Sequence, residues 1–202
     1  MRATIAIVLA VISSPTLAAE CRSMSNELSG MVAVDQALRK HVIREMQPSA
    51  RAPSRIEEQM AIVDQANTKT LKRLLGKCGW PKKSVHGVKA THDAWMLVQH
   101  ADRDPKFQSQ AIKLLETAVK QGEASGVQLA YLSDRVATSQ QKPQLYGTQF
   151  NVMGECGLEL MPVDDLEKVE ERRKSLGMPS LSEYRKQILD HAMPPKCAQG
   201  AK

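Results

Sequence analysis

DPKFQSQAIKLLETAVKQG, residues 104–122, reads as one complete amphipathic helix. Asp104 is an N-cap residue, because its carboxylate can accept an N–H that the first helical turn leaves unpaired. Pro105 follows at a place where a missing N–H is no loss. Gly122 supplies the stop. Between them Phe107, Ala111, Leu114, Leu115 and Ala118 form one apolar stripe at the helical period, widened by Ile112 and Val119, and Gln108 lies inside it. A helix of this kind has to bury that face against other elements.

The same punctuation recurs on both sides. Upstream, a helix runs from about Arg22 to Met46, ended by Gln47 and Pro48. A second starts at Ser54, which forms a capping box with Glu57, and ends near Gly76. Trp80 and Pro81 open a basic connector through Lys82 and Lys83, and a third helix covers about Gly87 to Asp102. Downstream, Ser125 and Gln128 box a helix to about Ser139. Residues 144–150 and 158–162 read as two short strands around a glycine-containing turn. Asp164 or Asp165 caps a sixth helix ending at Gly177, and Ser180 with Glu183 boxes a seventh to about His191. The expected fold is all-α dominated: a single-domain bundle of about seven helices with a small β-hairpin near residues 144–162.

The chain has 202 residues, with 28 Lys+Arg against 22 Asp+Glu. Two Trp, three Tyr and two Phe are too few for a surface that works by stacking sugars or bases. Basic residues are dispersed apart from Lys82-Lys83 and the run Arg172, Arg173, Lys174, which reads as a solvated helix face. Residues 1–19 have the build of a signal peptide: Arg2, an apolar run over 3–12, then small residues up to Ala19. The alternative is a buried N-terminal helix. Cleavage would give a periplasmic or secreted domain over residues 20–193 with a polar tail over 194–202. No later stretch could span a membrane, and export argues against nucleic acid as a partner. Glu20 breaks the spacing of a lipidation site at Cys21. Cys21, Cys78, Cys156 and Cys197 are even in number, as disulfides in an oxidising compartment require. Antiparallel packing of the first two helices would join Cys21 to Cys78, leaving Cys156 for Cys197.

Polar residues interrupt several of the apolar stripes. Asp35 lies between Leu28 and Val42 on the first helix, with Arg39 four residues on. Asn67 is central in the stripe of the second helix that includes Ile56, and Asp64 flanks it. Asp134 faces a small-residue side of the fifth helix. His100 and Asp102 are two apart on the third helix, so they diverge and cannot form a dyad; any carboxylate that orients His100 is Asp104 or comes from another helix. Burying an unpaired charge costs several kcal/mol, so these groups should be paired or line a wet cleft. His100, as the general-base candidate, is the most reactive side chain among them. There is no phosphate-binding glycine loop, no nucleophile elbow and no metal-ligand spacing, and the pattern names no cofactor.

Gly79-Trp80-Pro81, VQHAD at 98–102, Phe107-Gln108, the segment 129–136, the segment 142–149 with its YGTQ, and 181–184 together resemble, in order and spacing, a bacterial domain family of unknown function, over about residues 28–188. The chain departs from that pattern at Ser133 and in the short basic insert at Lys82-Lys83. The resemblance implies domain extent and motif residues, and no activity. Those residues are mostly polar: His100, Asp102, Gln108, Asp134, Arg135, Gln144, Tyr146 and Gln149. The expectation is a cleft that binds or hydrolyses a small polar ligand. His100 would be base and Asp102 or Asp134 its partner, with ligand contacts from Asp35, Arg39, Asp64, Asn67, Gln108, Arg135, Gln144, Tyr146 and Gln149. The rival expectation is a structural or protein-interaction domain of the cell envelope, with the same groups forming a buried network and residues 146–149 plugging Asp134.

Overall fold

In a computed structural model, which describes residues 17–45, 54–191, 193 and 197, Asp104 Oδ1 accepts the N–H of Phe107 at 3.0 Å. Pro105 opens the helix that ends at Lys120. In chain order the elements are α1 (Leu17–Glu45), α2 (Ser54–Cys78), α3 (Lys83–Gln99), α4 (Pro105–Lys120), α5 (Gly126–Ser139), β1 (Phe150–Met153), β2 (Gly157–Leu160), α6 (Leu166–Ser175) and α7 (Leu181–His191). The other caps follow the same chemistry. Ser125 accepts from the Gln128 N–H, and Asp165 accepts from the N–H groups of Glu167 and Lys168. Ser180 and Glu183 form a full capping box, each backbone N–H donating to the other's side chain. The Ser54–Glu57 box, Val42, Ile56, residues 1–16 of the expected signal peptide and most of the expected tail lie outside the described residues or side chains.

Three helix ends differ from expectation: α1 starts at Leu17 rather than about Arg22, within the stretch read as a signal peptide, and both ends of α3 shift. The basic connector is itself helical, so α3 begins at Lys83 and bends at Gly87, whose φ of +81° interrupts the helix. At its other end α3 stops at Gln99, because the His100 N–H turns back to the carbonyls of Met96 and Leu97 and the Ala101 N–H takes that of Val98.

Met24 and Leu28 of α1, Leu71 and Leu74 of α2, Leu97 and Val98 of α3, Leu115 of α4 and Leu132 of α5 meet in one core, each almost fully buried. Cys21–Cys78 ties the start of α1 to the end of α2 across a Cα–Cα distance of 5.5 Å, as antiparallel packing implies. A second, smaller cluster holds Leu158, Leu189 and Cys197, and Cys197 is bonded to Cys156. Among the described residues no helix is long and apolar enough to cross a membrane.

The hairpin is shorter than expected. Its strands pair antiparallel with Phe150 opposite Leu160 and Val152 opposite Leu158. Residues 144–149 are not a strand, apart from one parallel bridge between Gln144 and Val163. The reason is that side chains take their backbone groups. Asp134 accepts the N–H groups of Leu145, Tyr146 and Thr148, and the guanidinium of Arg173 donates to the carbonyls of Tyr146 and Gly147. The middle of the segment is so engaged that only its ends pair with backbone: Gln144 with Pro162 and Asp164, and Gln149 with Met161.

Candidate functional site

Three helices bring their polar intrusions to one place. α1 contributes Asp35, Gln36 and Arg39, α2 contributes Asp64, and His100 caps the C-terminus of α3. Asp35 is 1% exposed. Its Oδ1 lies 3.0 Å from His100 Nδ1 and accepts from Arg39 Nε at 3.1 Å; its Oδ2 accepts from the Gln36 amide at 2.8 Å. Arg39 spans the gap to α2, its second nitrogen donating to Asp64 Oδ1 at 2.6 Å. Burial pushes the Asp35 carboxyl up, but the His100 hydrogen bond and charge, the Gln36 amide and Arg39 outweigh it and hold it below the usual carboxylate range. At Asp64 burial wins over Arg39 and raises the carboxyl.

His100 Nδ1 faces the Asp35 carboxylate, and His100 Nε2 has no protein hydrogen-bond partner among the described residues. His100 lines a cleft of about 680 Å³, together with Asp64, Thr68, Lys69, Lys72, Arg103 and Asp104. A carboxylate that orients an imidazole at the wall of a cleft is an arrangement that general acid–base chemistry uses.

The other expected site residues fall into separate networks. Asp102 is held bidentately by Arg135, at 2.9 and 2.5 Å, and also accepts from the amide of Gln108 at 3.2 Å. Burial raises its carboxyl, but Arg135 and Gln108 more than compensate and it lies below the usual range. Gln108 donates in addition to the carbonyl of Val98, tying α4 to the end of α3. Asp134, fully buried, is committed to the backbone of residues 145–148. Gln144 donates to the carbonyls of Gln149 and Met161 and accepts the Gln149 N–H. Tyr146 takes part through its backbone. Asn67 keeps a buried amide nitrogen with no hydrogen-bond partner among the described residues. His100 is therefore served by Asp35, rather than by Asp102 or Asp134.

A family model described as a family of unknown function (DUF6624) matches residues 22–196. The chain belongs to that family. No curated protein and no solved structure matches it. The DUF6624 match starts directly after Cys21 and ends directly before Cys197, so an outer cysteine of each disulfide brackets the domain.

In this DUF6624 domain the sequence showed no metal-ligand spacing, yet the fold gathers ligand atoms of Asp35, Asp64 and His100 within 4.8 Å of one another. Arg39 already lies between the two carboxylates as their cation. Gln36, Lys69, Lys72 and Arg103 carry no sequence signal of what they face; Asp104, offered as a possible orienting carboxylate for His100, instead caps α4 and pairs with Lys72. Arg173 corrects an expectation outright. The run 172–174 is not a wholly solvated face: Arg173 is fully buried, donates to the carbonyls of Pro179, Tyr146 and Gly147, and lies over the Tyr184 ring at 5.0 Å.

Proposed function

We propose that this chain is a periplasmic or secreted domain that binds a small polar ligand in the cleft between α2 and the connection from α3 to α4, with His100 as the group that takes or gives a proton. Export rests on the signal-peptide pattern of residues 1–19, with residues 20–193 as the domain and 194–202 as a polar tail. Two disulfides are consistent with a place outside the cytoplasm. The observation that carries the functional reading is the contact between Asp35 and His100 at the wall of the cleft. It orients one imidazole nitrogen and leaves the other to a ligand or a water, which suits hydrolysis of a small polar substrate. Polar side chains converging between helices are how bundles build such sites.

A thermal-shift screen of polar metabolites and cell-wall fragments, run on the wild type and on His100→Gln, tests this. The expected result is a compound class that raises the wild-type midpoint and loses its effect in the variant. The absence of any stabilising class would count against the proposal.

One observation favours the second reading, a structural or interaction domain. Arg39 bridges Asp35 and Asp64, so the cluster is already largely neutralised without a ligand. A network built for stability would make His100→Gln destabilising, whereas groups kept for function are commonly neutral or costly to stability and tolerate replacement.

A further inference from the structure

We infer that the ligand of this cleft carries an anionic group, a phosphate or a carboxylate, held by Lys69 and Arg103; the inference rests on the cleft being a binding site, as proposed above. The charges that meet there do not cancel pair by pair. Lys72 forms an ion pair with Asp104, and Arg39 is shared by Asp35 and Asp64. Lys69 of α2 and Arg103 of the connection between α3 and α4 line the same cleft of about 680 Å³, and neither has a carboxylate partner among the described residues. Two positive charges there are thus uncompensated by the described carboxylates. A concave surface lined by one sign of free charge concentrates ligands of the other sign, and a guanidinium fork matches the paired oxygens of a carboxylate or phosphate.

The remaining groups divide the cleft by role. Thr68 is spent on the backbone carbonyl of Asp64, so it offers no free hydroxyl proton to a ligand. His100 already faces the Asp35 carboxylate through Nδ1, so its charge, when present, is shared with Asp35. The anionic group belongs on Lys69 and Arg103, and the polar remainder of the ligand reaches His100.

Calorimetric titration of the disulfide-bonded chain at low salt tests the assignment with three probes: inorganic phosphate, succinate and neutral glucose. Saturable binding of phosphate or of succinate is expected, weakened about tenfold or more in Lys69→Gln/Arg103→Gln and weakened by added salt. Whichever anion binds names the group. The double variant should keep the wild-type melting temperature, since neither side chain is paired. If glucose alone binds, or if an anion binds the double variant as well as the wild type, the anionic assignment falls and the cleft stands. If no probe binds, the anionic assignment falls, and if the screen above also finds no ligand the cleft falls with it.

Discussion

Asp134→Ala removes the one acceptor that organises residues 144–149. The carboxylate takes three backbone N–H groups: Leu145 at 2.8 Å, Tyr146 at 3.1 and 3.2 Å, and Thr148 at 2.9 Å. A buried donor left without a partner costs about 1–3 kcal/mol. Leu145 is 42% exposed, so water can replace its bond, whereas Thr148 is 4% exposed and Tyr146 is half-buried. Arg173, fully buried on the carbonyl side of the same loop, also loses the negative charge that faces it through two peptide units. The expected destabilisation is about 3–5 kcal/mol, or a melting temperature lower by roughly 6–20 °C for a domain of this size. Urea unfolding gives the free energy, and hydrogen exchange should show the amides of Tyr146 and Thr148 losing protection before the core does. A loss below about 1 kcal/mol, or unchanged protection at those amides, would refute the claim that Asp134 is a structural anchor.

Three further outcomes follow from the geometry. Gly147→Ala should destabilise by about 1–3 kcal/mol in urea, because φ is +62° and a Cβ would meet Leu181 Cδ2 at 2.6 Å. Replacing both Cys21 and Cys78 by Ser releases a loop with a sequence separation of 57 and should lower stability by about 4 kcal/mol, read from the same unfolding curves. Asp35 and Asp102 both have folded-state carboxyls held below their ordinary range. Their contribution is therefore full above the unfolded value of about 4 and is lost as pH falls through the folded value. Asp64, pushed upward, contributes in the opposite direction. Urea unfolding between about pH 6 and about pH 3 should show the wild type weakening in acid, and Asp102→Asn should flatten that slope.

The bundle was legible because its helix ends are chemical. Asp104-Pro105, Ser125, Asp165 and the Ser180–Glu183 box each announce a turn, and each does so locally. Residues 144–149 misled for the opposite reason. Their alternation suits a strand, but Asp134, expected to face residues 146–149, takes their backbone N–H groups, and Arg173 reaches them from α6, a contact no local pattern encodes. The site shows the same division. Asp35 and Asp64 stood out as charges in or beside apolar stripes, and the pairing of Asp35 with Arg39 follows from helical spacing. That His100 belongs with Asp35 was not legible, because the two are 65 residues apart and only the packing of α1 on α3 joins them. Lys69 and Arg103 gave no sign at all, since their meaning lies in lacking a carboxylate partner among the described residues.

The central claim is that the cleft beside His100 receives a ligand. Amide-resolved NMR titration with a compound that stabilises the wild type in the thermal-shift screen tests it most directly. Shifts centred on Asp64, Lys69, His100 and Arg103, saturating together and abolished by His100→Gln, are the predicted result. Shifts centred instead on Asp102 and Arg135, or on the 144–149 loop, would contradict it.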